Sequence, residues 1–167
     1  MRRKRMFFLI VFTLFAVMMD SSVLPHTGLN MRYVPRICLV AVALIGTVLG
    51  STQGIIYGAM AGILLDITVY QPAGLVAVVY TLCGLIAGFI SYRTRAYLVT
   101  LIPPAVVMLF YTAVMSLYVY FSTGVYPADK LDHALIQMVI SMFLVQLLYL
   151  PLVKILKPTR IGRRRRA

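Results

Sequence analysis

The chain has 167 residues, of which 62% are apolar, with no Trp and a mean hydropathy of +0.94. That is too apolar for a soluble domain of this size, so the length suits one compact unit whose solvent is lipid. Sixteen Lys and Arg face four Asp and no Glu, a net charge of +12. The cations cluster beside apolar runs, which is the pattern of topology signals and anionic-lipid contacts and argues against nucleic acid.

Six apolar helices are predicted in chain order, forming a single integral membrane domain over residues 1–167. The first, over 6–24, follows the basic run Arg2-Arg3-Lys4-Arg5. Its apolar stretch exceeds that of a signal peptide and no small-residue cleavage site follows, so it reads as an uncleaved span. The second and third, 33–50 and 54–70, would form one helix of about 50 Å if they were continuous, well beyond the hydrocarbon thickness. The chain must therefore break between them, and GSTQG at 50–54 is the polar candidate. Pro72 and Gly74 in QPAG close the third span by fixed and permissive φ.

The fourth span covers 74–92 and the fifth 97–121, with Pro103-Pro104 near the fifth span's start. Either the prolines kink that helix, or the crossing starts at Pro103 and the preceding YLVTLI lies along the interface. The sixth covers 133–155 and leads into a basic tail over 156–167. Helices satisfy their own backbone in lipid, whereas open strands do not, so the fold class is all-α. With a cytoplasmic N-terminus, 13 basic residues lie in the inner segments and three in the outer ones. That bias favours an even number of crossings, six, with both termini in the cytoplasm; five is the alternative if span two or three is re-entrant.

Glycine recurs every fourth residue at 46, 50, 54, 58 and 62, and the next step lands on Asp66. In lipid there is little hydrophobic drive between helices, and small residues that let backbones approach take its place. Gly54, Gly58 and Gly62 groove the third span, and Gly84 and Gly88 groove the fourth. Spans two to four are therefore expected to pack tightly, and the strip serves either internal packing or a partner helix. An acid inside a span is costly unless it is paired or wet. Asp66 and Asp20 are both expected near the outer end, where Arg36 stands at the start of span two, and an Asp66–Arg36 or Asp20–Arg36 ion pair would let each charge tolerate its place. Three readings of Asp66 stand: a bond to Arg36 or to nearby backbone and hydroxyls, the docking of a partner, and a proton or ion relay.

The remaining motifs carry little chemistry. Asp129, Asp132 and His133 read as a solvated helix start with a cap, and they are poor metal ligands. His26 stands alone, and Cys38 and Cys83 lie in apolar runs as small hydrophobes. No nucleophile set, carboxylate pair or phosphate loop is present in the sequence, so no enzyme, cofactor or metal centre is expected.

The stretch GIIYGAMAGILLDITVYQPAGLVAVVYTLCGLIAG resembles the rod shape-determining protein MreD family. The resemblance rests on Gly58, Gly62 and Asp66, the turn glycine Gly74, and Gly84 and Gly88 in the next span. It is good over 46–92 and fits the span layout elsewhere; Pro35-Arg36 departs from the Pro-Asp common in the family. The resemblance implies a non-catalytic subunit of the elongation machinery in the bacterial cytoplasmic membrane. Such a subunit binds an MreC-like single-span protein and works with MreB filaments, a RodA-type glycan polymerase and a class B penicillin-binding protein in lateral peptidoglycan synthesis. It also implies a fold similar to the substrate-binding subunits of energy-coupling-factor transporters. That supplies an alternative function, the binding of a vitamin-sized molecule.

Overall fold

The computed structural model describes residues 2–23, 36–68, 74–93 and 102–124, together with 136, 139–145 and 147–149. The described residues are helical, without strands. Five helices follow in order: α1 (Arg2–Met18), α2 (Ile37–Leu49), α3 (Ser51–Thr68), α4 (Leu75–Arg93) and α5 (Ile102–Thr123). A π-helical turn, Met19–Val23, extends α1, and a further apolar helical stretch runs over Val139–Tyr149. By length and composition, α4 and α5 can cross a bilayer, with mean hydropathies of 2.1 and 1.8.

The sequence predicts α2 as a crossing over 33–50, but the helix has 13 residues, about 20 Å long and well short of the hydrocarbon thickness. It has no need of that length, because Cys38 through Ile45 are at most 1% exposed. A helix apolar all round is a buried helix. Here α1, α3, α4 and α5 enclose it, so other helices, not lipid, are its surroundings.

The break after α2 takes one residue rather than a polar loop. Gly50 adopts φ +101°, a conformation that L side chains rarely take. Its amide donates back to the Gly46 carbonyl, and the Gly54 amide donates to the Gly50 carbonyl. Ser51, Thr52 and Gln53 therefore belong to the first turn of α3. Further on, α5 begins at Ile102 with Pro103 and Pro104 in its first turn, where a missing N–H leaves no bond unmade.

Successive helices reverse direction. Along α3 the contacts with α4 run from Gly54–Gly84 through Gly58–Tyr80 to Gly62–Ala77, so this pair is antiparallel. Between α4 and α5, Cys83 lies by Val107 and Tyr80 by Tyr111, again antiparallel. One end of the bundle thus carries the start of α1, the Gly50 turn, Arg93 and Ile102. The opposite end carries Asp20, Arg36, Asp66 and Gly74.

Candidate functional site

The glycine strip and its acid form one seam, and α4 of the same chain fills it. A Cβ at Gly54 or Gly84 would strike the other's backbone. A Cβ at Gly58 would meet the Tyr80 carbonyl, one at Gly62 the backbone of Ala77, and one at Gly88 the backbone of Gly50 and Ser51. Gly46 joins from α2, where a Cβ would fall 2.7 Å from the Gly84 carbonyl oxygen. Gly46, Gly54 and Gly84 thus bring three helices to one point with no side chain between them. Beyond that crossing, the Ser91 hydroxyl donates to the Thr47 carbonyl at 2.8 Å and pins α4 to the end of α2.

Asp66 closes the other end of the seam. Its carboxylate accepts from the amides of Gly74 (3.1 Å), Val76 (3.3 Å) and Ala77 (3.0 Å), the donors at the start of α4. The first turn of a helix has no intrahelical acceptor for its N–H groups and carries a partial positive charge. A carboxylate on the last turn of α3 supplies both the acceptor and the opposite charge.

Asp20 repeats the device one hairpin earlier. Its two oxygens accept from the amides of Ile37 at 2.8 Å and Cys38 at 2.9 Å, at the start of α2. Arg36, the N-cap residue there, makes no side-chain capping bond of its own. Its guanidinium lies 4.7 Å above the centre of the Tyr111 ring, a cation–π contact. Tyr111 in turn meets Tyr80 edge to face, with centroids 5.9 Å apart. Tyr111 stands nine residues after Ile102, so this group lies about 13 Å in from the first residue of α5.

The three charged residues expected to form an ion pair are therefore arranged differently. Each carboxylate is held by backbone amides, and Arg36 rests on an aromatic face within reach of the Asp20 charge. The bonds to backbone, among the readings open for Asp66, are present. The amides that donate to its carboxylate lie eight to eleven residues on, across the turn. Tyr80 and Tyr111, which cradle Arg36, were not singled out for this role by sequence reasoning. Asp129, Asp132, His133, His26 and the tail over 156–167 lie outside the described residues.

The outward faces of the helices are apolar. On α4, Val78, Leu82, Leu85, Phe89 and Tyr92 form an exposed stripe at helical spacing. Phe7, Phe15 and Met18 of α1, and Leu109, Leu117 and Phe121 of α5, are also exposed. A family model described as rod shape-determining protein MreD matches residues 1–159. No curated protein and no solved structure matches the chain.

Proposed function

The chain belongs to the MreD family, whose role is in rod shape determination, and from that premise we propose that it is a non-catalytic scaffold of the bacterial elongation machinery. In this reading it sits in the cytoplasmic membrane with six crossings and both termini inside. It binds an MreC-like single-span protein and through it supports lateral peptidoglycan synthesis by a RodA-type polymerase and a class B penicillin-binding protein. The observation that carries the reading is the family match over 159 of 167 residues.

The geometry supports a scaffold by what it leaves available. The glycine seam is taken up by α4, and the two membrane acids are taken up by helix starts. A partner helix therefore meets the apolar outer faces, and in lipid such an association rests on packing. The test is co-purification with an MreC-like protein from membranes, together with complementation of a shape-defective strain. Rod shape restored without partner capture would remove the scaffold reading.

A second reading is a vitamin-binding subunit of the energy-coupling-factor kind, with a fold similar to those subunits. It draws on Arg36, an exposed residue whose guanidinium sits against Tyr111 at the recessed start of α2. Thermal stabilisation by a vitamin that is lost in Arg36→Gln would favour it over the scaffold.

A further inference from the structure

The packing of α5 changes partway along. Its buried residues, Pro103, Pro104, Val107, Met108 and Tyr111, all lie between Ile102 and Tyr111. None of residues 112–124 is buried. The helix runs on from Tyr111 to Thr123, about 18 Å. The guanidinium of Arg36 lies against the Tyr111 ring, at the point where this packing stops, and so is set well back from the end of α5.

Arg36 is also the open member of its group. Tyr80 is 1% exposed and Tyr111 6%, whereas Arg36 is exposed. The ring of Tyr111 offsets part of the positive charge. A guanidinium nevertheless carries five N–H donors in a planar fork, the shape that a carboxylate fits with two parallel bonds. The neighbouring acid does not fill that fork. The two Asp20 oxygens accept from the amides of Ile37 and Cys38, and among the described residues no carboxylate forms an ion pair with Arg36. A cation set into a membrane protein is costly unless it is paired or wet.

We propose that Arg36 is the anion subsite for a small molecule bearing one carboxylate, which enters from the end that carries Asp20 and lies along α5 beyond Tyr111. The guanidinium fork takes the carboxylate. Met115 and Tyr118, four and seven residues past Tyr111 and so on its face of the helix, are partly buried and offer an apolar wall to the rest of the molecule. The charge of Asp20 acts on the same guanidinium and repels a second negative charge, so the site favours a carboxylate over a doubly charged phosphate. The inference deepens the small-molecule reading of Arg36 and rests on it; it names the ligand's chemical class, which extends beyond vitamins.

The test uses the full-length protein in micelles and three probes of one shape: 2-naphthoate, 2-naphthamide and 2-naphthyl phosphate. Binding is read as a saturable rise in the unfolding midpoint and by equilibrium dialysis. The naphthoate is expected to bind, the phosphate several-fold more weakly, and the amide about ten- to a hundredfold more weakly, the loss expected when a charged hydrogen-bonded contact is removed. Arg36→Gln is expected to lower naphthoate affinity by a similar factor and leave that for the amide unchanged, while Arg36→Lys falls between. If the Gln variant folds poorly, Arg36→Lys and the three-probe comparison on the unmodified chain decide the matter. Equal binding of naphthoate and amide overturns the proposal, as does tighter binding of the phosphate, or no saturable binding of the naphthoate. A vitamin that stabilises the protein through Arg36 but binds as well with its carboxylate amidated would keep the small-molecule reading and overturn this inference alone.

Discussion

Replacing Gly58 by Ala tests the seam at its centre. The new Cβ would lie 2.5 Å from the Tyr80 carbonyl oxygen, 3.0 Å from its carbon and 3.2 Å from the Thr81 Cα. Ordinary contact begins near 3.4 Å, so the two backbones must part by about 0.9 Å. All three neighbours are main-chain atoms of α4, and no side chain can swing aside to make room. A gap of up to 1 Å forfeits about a quarter to a half of each van der Waals well along the seam. Overpacking of this kind costs about 1–3 kcal/mol, offset by up to about 1 kcal/mol from the better helix propensity of Ala. The expected net loss is about 1–2 kcal/mol, and Gly58→Leu should exceed it. The assay is reversible unfolding in mixed micelles with rising dodecyl sulfate, followed by circular dichroism. Ile63→Ala is the control, since that side chain is on the same helix but 53% exposed and is expected to cost little. Wild-type stability in Gly58→Ala, or an equal loss in Ile63→Ala, would refute the reasoning.

Three further outcomes follow from the same geometry. Asp66→Ala leaves three amides at the start of α4 without their acceptor and is expected to lose about 1–3 kcal/mol in the same assay, with Asp66→Asn losing less because one acceptor oxygen remains. Asp20→Ala uncaps α2 in the same way, and amide hydrogen exchange at Ile37 and Cys38 should rise well before that of α4. Cys38 and Cys83 are fully buried, so both should resist maleimide in the folded protein and label on unfolding; rapid labelling of Cys38 in the native state would contradict the enclosure of α2.

The sequence and the structure part company in instructive places. A four-residue spacing of glycines marks a groove from local periodicity alone, because the period fixes which positions share a face. Which helix fills the groove is a non-local fact, and the occupant here lies 15 to 30 residues further along the chain. Asp66 is a similar case. Its cost inside an apolar helix is readable from its neighbours, whereas its acceptor role depends on where α4 begins. A cue was present nonetheless. Neither α2 nor α4 has Ser, Thr, Asn or Asp at its own start, and each is preceded by a helix ending in a stray acid. Two helices without local caps and two acids without local partners point to each other. The enclosure of α2 by other helices was not legible because hydropathy reports what a helix can tolerate around it. Apolar neighbours can be lipid or protein, and only the packing decides which.

The sheathed α2 also bears on how the molecule is made. A segment of 13 residues, about 20 Å long, is a poor stop for the insertion machinery, and alone in the bilayer its ends would drag backbone and Arg36 into hydrocarbon. It reaches its place only when later segments have emerged to surround it. The glycines of α3 and α4 draw those segments together, and Asp20, already laid down on α1, is waiting to receive its first amides. Biogenesis of this chain is therefore expected to be a concerted folding event within the membrane, committed only after α4 leaves the ribosome. Chains truncated before that point should be cleared by quality control.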